Sequence, residues 1–336
     1  AVVTRMADLL FPPAAPEIES GTYLVYDGAC GTGGMLTVAE ERLAELAASH
    51  GKEVSIHLFG QEVQPETYAI AKADLLLKGE GAEAENMKYG STLASDAFPS
   101  QEFDFMLSNP PYGKSWKTDL ERLGGKGDIR DPRFVTQHAG DPEYTMITRS
   151  SDGQLMCLVN KLAKMKHTTS LGSRIAEVHN GSSLFTGDAG QGESNIRRWI
   201  IENDWLEAII ALPENTFYNT GIATYIWLLT NRKSAERRGK VQLIDASLWS
   251  VPLRRNLGKK NCEFSEEHIR ALCDLVVHPV ETEQSKIFPN QAFGYWKVTV
   301  DRPLRLAVDL GLGRLERFAR TCNTVDAGAK DASPLP

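Results

Sequence analysis

The sequence predicts a doubly wound α/β domain built on a mostly parallel sheet. Three observations lead to that class. A short apolar strand, Tyr23-Leu24-Val25-Tyr26, runs into a glycine-rich turn, Asp27-Gly28-Ala29-Cys30-Gly31-Thr32-Gly33-Gly34, and then into a helical pattern, which is the opening unit of a nucleotide-binding fold. A second strand, Val54 to Phe59, delivers Gly60-Gln61-Glu62 at its C-terminal end. A third apolar run, Phe103 to Leu107, ends in Ser108-Asn109-Pro110-Pro111-Tyr112-Gly113 and reads as a buried strand entering a rigid loop.

Taken in order, residues 2–10 have the spacing of the second half of an amphipathic helix. The chain opens with Ala1-Val2-Val3, so it is expected to be a fragment whose residues 1–20 are the remnant of an N-terminal helical segment. After the glycine turn, Leu36, Ala39, Leu43, Leu46 and Ala47 recur at helical spacing. Glycines let a backbone approach a ligand closely, and a helix start offers free N–H groups. No Lys-Ser/Thr pair follows the glycines, which excludes a phosphate loop, and the pattern is not the strict dinucleotide one. Glu62 is placed to accept hydrogen bonds from ribose hydroxyls; the alternative is a solvated surface carboxylate. A helix is expected from Pro65 to Lys78. Asp96, just ahead of the third strand, is either a turn residue or an acceptor for an adenine amino group.

In the Asn-Pro-Pro-Tyr loop, two prolines fix φ and remove two donors. The loop therefore presents acceptors: the Asn109 side-chain oxygen and the Ser108, Asn109 and Pro110 carbonyls. Tyr112 adds a flat face. Acceptors beside an aromatic plate suit a planar ring carrying an exocyclic NH2, although a stiff loop closing a strand would read the same way. Residues 113–150 form a long polar stretch carrying Lys114, Trp116, Lys117, Arg122, Lys126, Arg130 and Arg133. It is expected to be either a lid over a substrate groove, disordered until DNA binds, or a solvated insertion. Further on, a helix over Gln154–Lys166, a fifth strand over Ser173–His179 and a helix over Asn195–Glu202 are expected. Strands follow at Leu206–Leu212, Thr224–Thr230 and Val241–Asp245, the last two joined as a basic hairpin. Arg254, Arg255, Lys259 and Lys260 form a second basic cluster; both clusters are either phosphate contacts or solvated tips. A helix is expected over Glu266–Val277.

The 336 residues carry a formal net charge of −7 and a hydrophobic share of 42%. That is ample for a core, but it lacks the basic surplus of a protein that grips DNA alone. No apolar run is long enough to span a membrane, and there is no signal-peptide pattern. The five cysteines have no CxxC pair, which argues against a zinc site, so no metal is expected, and fits a reducing cytoplasm.

The Asn-Pro-Pro-Tyr signature after a hydrophobic strand resembles the catalytic motif of S-adenosylmethionine-dependent amino-methyltransferases. The 27–34 turn looks like the first motif of DNA adenine methyltransferases, which cradles the methionine part of that cofactor. Together with Gly60-to-Tyr68, Asp152-Gly153-Gln154, Gly172-to-Ala176, His179-to-Ser194, Leu212-Pro213-Glu214 and Gly221-to-Thr224, these stretches resemble the modification subunit of type I restriction–modification systems. The likeness covers roughly residues 20–260. It departs at Gly28, where the family usually has Pro, and the family's N-terminal helical domain and a cofactor-contacting motif have no counterpart in residues 1–336.

The resemblance implies a methyltransferase-type sheet with an antiparallel end hairpin. It implies a catalytic domain over 21–260, a C-terminal helical extension over 261–320 and a disordered tail over 321–336. The implied reaction moves a methyl group from S-adenosylmethionine to N6 of a flipped adenine. Asn109, Pro110, Pro111 and Tyr112 would be catalytic. Asp27, Ala29, Gly31, Thr32, Gly33, Gly34, Glu62, Asp96 and Asn109 would contact the cofactor, and Tyr112 and Phe185 would stack on the base. Partners would be DNA, a specificity subunit that chooses the sequence, a second modification subunit and the restriction subunit. The alternatives are a protein glutamine-amide methyltransferase, which shares the tetrapeptide, and a non-catalytic structural subunit.

Overall fold

The computed structural model describes residues 2–218, 220–301, 311–317, 319 and 320. The expected tail over 321–336 lies outside them. Two compact units are present, residues 1–295 and 296–336; within the second, residues 312–317 are helical.

The chain enters through α1 (Val2–Leu10), whose Met6, Leu9 and Leu10 are buried, and a Pro-rich 3-10 turn over Pro12–Glu17. Then come β1 (Gly21–Asp27), α2 (Gly34–Ser49), β2 (Val54–Glu62), α3 (Pro65–Leu77), α4 (Gly81–Glu85) and β3 (Met87–Tyr89). The helical spacing seen in the sequence is the buried face of α2: Leu36, Ala39, Leu43 and Ala47. Next are β4 (Phe105–Ser108), α5 (Lys117–Arg122), the hairpin β5 (Val135–His138) and β6 (Asp141–Thr145), α6 (Gln154–Leu162), β7 (Arg174–Asn180), α7 (Ser182–Phe185) and α8 (Gly192–Glu202). The remainder is β8 (Leu206–Leu212), β9 (Thr224–Thr230), β10 (Lys240–Asp245), the ribbon β11 (Val251–Leu257) and β12 (Lys260–Glu263), α9 (Glu266–Val277) and β13 (Ser285–Pro289). A capping box starts α9: Ser265 Oγ accepts from the His268 N–H, and the His268 ring accepts from the Ser265 N–H.

Nine strands form one sheet in the order β13-β10-β8-β9-β7-β4-β1-β2-β3. β1, β2, β3, β4 and β7 are mutually parallel. β9 runs antiparallel to both β7 and β8, and β10 is parallel to β8. This is the doubly wound, mostly parallel sheet that the sequence predicts. Its antiparallel end differs from the expected hairpin: β9 and β10 do not pair, because β8 lies between them, and the outermost antiparallel pair is β10 with β13. The strand directions put the C-terminal ends of β1, β2, β4, β7, β8 and β10 on one edge of the sheet.

The core has two layers. On one face, α1, α2 and α9 cover Phe105, Leu107, Ala176 and Val178; on the other, α6 and α8 cover Tyr26, Met106, Ile175 and Trp227. Parallel strands covered on both faces read as nearly continuous apolar runs, and β4 and β7 are buried along their length. Residues 113–150 are not a disordered lid. They carry α5 and the β5–β6 hairpin, and they send Trp116, Leu120, Ile129, Phe134, Tyr144 and Met146 into the second layer. These apolar residues stand far apart in a polar string, so no helical or strand period reveals them. No helix among the described residues is long and apolar enough to cross a membrane.

Candidate active site

β1 delivers Asp27, fully buried, to the active edge. Asp27 Oδ1 accepts from the Ala29 N–H at 2.9 Å and from Ser108 Oγ at 2.7 Å. Burial raises its pKa, opposed by Lys161 and by these two donors. The turn then reverses through Gly31 (φ 56°) and Gly33 (φ 82°), both left-handed, a region that favours glycine. The helix that follows, α2, has no side-chain cap on its first amides. An added Cβ at Gly34 would meet nothing within 4 Å, and one at Gly31 only the Thr67 methyl at 4.0 Å. The turn is therefore sterically open at Gly31 and Gly34, with Thr32 exposed on it, while its Ala29, Cys30, Gly31 and Gly33 N–H groups already donate to Asp27, Gln61, Glu62 and Cys30. At Gly28 a Cβ would lie 2.7 Å from the Tyr26 hydroxyl. Tyr26 is fixed there by stacking on Phe103 at 4.5 Å and by a donor from Asn160. A side chain at Gly28, proline included, therefore requires the Tyr26 hydroxyl to give way.

Glu62 closes β2 and faces the same turn. Its Oε2 accepts from the Gly31 N–H at 2.9 Å and its Oε1 from the Gln64 N–H at 2.7 Å. Each carboxylate oxygen can accept twice, so Glu62 retains acceptor capacity towards a diol. An open glycine turn, uncapped helix amides and a buried-rim carboxylate form a donor and acceptor set that fits a nucleoside carrying an anionic tail.

β4 carries the second half of the site. Ser108 is buried, Asn109 exposed, Pro110 buried, Pro111 exposed and Tyr112 half-buried. Burial raises the Tyr112 pKa, so its phenol stays protonated. The loop is pinned at both ends. Ser108 Oγ donates to Asp27, and the Gly113 N–H donates to Asp152 Oδ1 at 3.1 Å. Asp152 in turn accepts from Gln154 Nε2 (2.7 Å) and Ser182 Oγ (3.1 Å). Gln154 Nε2 also donates to Asn180 Oδ1 at 2.8 Å, and Gln154 Oε1 accepts from the Asn180 N–H and from His179 Nδ1. The end of β7, the start of α6 and the proline loop thus share one hydrogen-bonded network. Phe185, at the end of α7 on this edge, is 78% exposed.

Beneath the network lies a buried charge cluster. Lys161 Nζ sits 2.8 Å from Glu177 Oε2, and His179 Nε2 stands 3.6 Å from Glu177 Oε1. Neither His179 Nε2 nor Glu177 Oε1 has a hydrogen-bond partner. Burial, against the pull of Lys161, lifts Glu177 to about 7, while burial and Lys161 together lower His179 to about 3.

Asp27, Ala29, the 31–34 turn, Glu62 and the 109–112 loop are brought to one edge of the sheet. Asp96 is engaged elsewhere: its Oδ2 is 2.6 Å from Lys164 Nζ and 3.8 Å from Arg133 Nη1, and its Oδ1 accepts from the Phe98 N–H. Those contacts tie the 90–98 loop to Lys164 and Arg133. The residues that sequence reasoning gives no role are Asp152, Gln154, Asn180 and Ser182. Their signal in the sequence is that they lie in two of the stretches that carry the family resemblance, 152–154 and 179–194. Among the described residues, no group of three or more His, Cys, Asp or Glu is placed to hold a metal ion.

The family model described as N-6 DNA Methylase matches residues 1–293. The chain is 31% identical over 254 residues to the type I restriction enzyme MjaVII methylase subunit of Methanocaldococcus jannaschii, covering 75% of this chain and 40% of that protein. It is 29% identical over 258 residues to the MjaIX methylase subunit of the same organism, covering 77% and 41%. The chain therefore spans about two fifths of the length of these relatives. A solved type I restriction–modification methyltransferase subunit from Streptococcus thermophilus superposes with a TM-score of 0.68 at 23% identity, covering 86% of this chain and 54% of that one. This last likeness shows the fold.

Proposed function

The chain belongs to the N-6 DNA methylase family, and on that premise we propose that it carries the catalytic domain for methylation of adenine N6 in DNA as part of a type I restriction–modification complex. The observation that carries the reading is the Ser108–Asp27 hydrogen bond, which ties the start of the Asn-Pro-Pro-Tyr loop to the start of the glycine turn. The turn proposed for the nucleoside and the loop proposed for the base are thereby held edge to edge.

Family and fold imply S-adenosylmethionine, which when bound supplies a methyl group activated by its positive sulfur. Glu62 would accept the ribose hydroxyls, and the 31–34 turn with Asp27 would line the methionine end. The Asn109 side-chain oxygen and the Pro110 carbonyl would accept the two N–H groups of the adenine amine. Held this way, the amine lone pair would be drawn out of conjugation with the ring, making the nitrogen a better nucleophile towards the activated methyl group. Fixed dipoles that gain strength as charge develops are the main catalytic resource of such a site, and in-line positioning adds to it. Tyr112 would stack on the base, with exposed Phe185 as a second plate. A base inside a duplex is out of reach, so extrusion costs a few kcal/mol.

With a net charge of −7, sequence choice and much of the grip on DNA would fall to a specificity subunit, with a second modification subunit completing the clamp and the restriction subunit completing the assembly. The setting would be cytoplasmic. Transfer of labelled methyl groups to adenine-containing duplex DNA, with and without a specificity subunit, tests the proposal. N6-methyladenine in digested DNA is the expected product. Label found only on protein glutamine, or nowhere, would contradict it.

A further inference from the structure

We infer that the β11–β12 ribbon is a second DNA contact, gripping backbone phosphates that flank the extruded base. The inference rests on the DNA-methylation reading and assigns to that site a surface of its own. Residues 246–262 contain Arg254, Arg255, Lys259 and Lys260 and no Asp or Glu, within a chain of net charge −7. Lys260 is buried and pairs with Glu263 at 3.4 Å. Arg254, Arg255 and Lys259 are exposed and make no ion pair among the described residues.

Placement makes this more than a solvated tip. The ribbon follows β10, whose C-terminal end lies on the same edge of the sheet as Asn109. It is latched to the loop after β8, where the Lys259 N–H donates to the Tyr218 carbonyl at 2.9 Å and the Asn261 N–H to the Asn215 carbonyl at 3.2 Å. A Cβ at Gly258 would lie 2.6 Å from that same Tyr218 carbonyl, so the ribbon's turn is seated directly on the edge. β8 is three strands from β4 in the sheet order, about 15 Å at ~4.8 Å per strand. That is about four base pairs of duplex at 3.4 Å each. The seven residues of β11 can reach about 20 Å further at ~3.3 Å per residue. A duplex with its target base at Asn109 would therefore run within reach of the three free cations. Phosphates are the chemistry they suit, and contacts of this kind position DNA without reading its sequence.

The test compares the parent with R254Q/R255Q/K259Q in a preparation that methylates duplex DNA, with R254K/R255K as a charge-retaining control. Affinity for a duplex oligonucleotide is measured across a range of salt. Each lost phosphate contact flattens the log–log salt slope by about 0.9, so three lost contacts mean that parental affinity falls about 40-fold further than the variant's between about 50 and 200 mM salt. The expected result is that flattened slope and a raised KM for DNA, with kcat at saturating DNA unchanged and the Lys control like the parent. A parent that methylates DNA while the triple variant keeps its slope overturns the ribbon assignment. So does an unchanged slope with weakened subunit assembly, which would point to an acidic protein partner. A parent that methylates no DNA overturns the functional reading, and the ribbon's role with it.

Discussion

At the scale of single residues, Glu62 is the sharpest case. It already accepts two backbone N–H groups, one from the glycine turn and one from its own helix start. Glu62→Ala therefore removes a cofactor acceptor and loosens the turn together. Calorimetry on a form that binds S-adenosylmethionine should show affinity weakened by about 1–3 kcal/mol; unchanged affinity would remove Glu62 from the site. Glu62 and Asn109 were legible as candidates because each stands at the C-terminal end of a strand, and the structure brings both strand ends to one edge of the sheet. Asp96 had the same look, yet its carboxylate serves Lys164, sixty-eight residues away, a pairing no local pattern could announce. His179 was equally hidden. Buried beside Lys161, it is held neutral, with its pKa lowered to about 3 from an ordinary 6.5. The unfolded chain takes up a proton below that ordinary value and the folded chain does not. The contribution of His179 to stability is thus full above pH 6.5 and is lost as pH falls towards 3. Glu177, raised to about 7, acts in the opposite sense: its contribution is full below its ordinary 4.5 and is lost as pH rises through 7. Relative to the parent, His179→Gln should lose less stability on acidification, by about 2 kcal/mol at a pH near 5. Urea unfolding of both proteins at neutral pH and at about pH 5 would show it, and identical losses would mean that His179 is not held neutral.

At the scale of elements, the proline loop owes its shape to its neighbours. Its far end is fixed by Asp152, which precedes α6, and through Gln154 and Asn180 by the end of β7. Asp152→Ala should release the Gly113 N–H and slow methyl transfer by about 10–100-fold, the worth of a charge-assisted hydrogen bond. Cofactor affinity should hold. Single-turnover rates beside cofactor titrations separate the two, and an unchanged rate would show that the anchor is dispensable. The strands and helices around this loop were readable because β4 is a nearly continuous apolar run and α2 carries a helical apolar period. Two things were not. The 113–150 stretch buries isolated apolar residues without a period. The position of β8 between β9 and β10 is a long-range pairing, whereas sequence proximity and the family resemblance suggested a hairpin.

At the scale of the whole molecule, one edge of one sheet gathers the glycine turn, Glu62, the proline loop, Phe185 and the basic ribbon. Ligands of open α/β sheets sit at the carboxyl ends of the strands, and both proposed substrates would meet there. Asn109 stands on that edge, exposed at the end of a fully buried strand. Single-turnover methylation by the assembled enzyme, at saturating cofactor and DNA, is the most direct measurement. Asn109→Ala should slow the methyl-transfer step by about 10²–10³ with cofactor binding nearly intact. Tyr112→Phe keeps the stacking face and should retain most activity, whereas Tyr112→Ala gives up roughly 1–3 kcal/mol of stacking. Transfer at the parental rate by Asn109→Ala would contradict the assignment of the loop as the catalytic element.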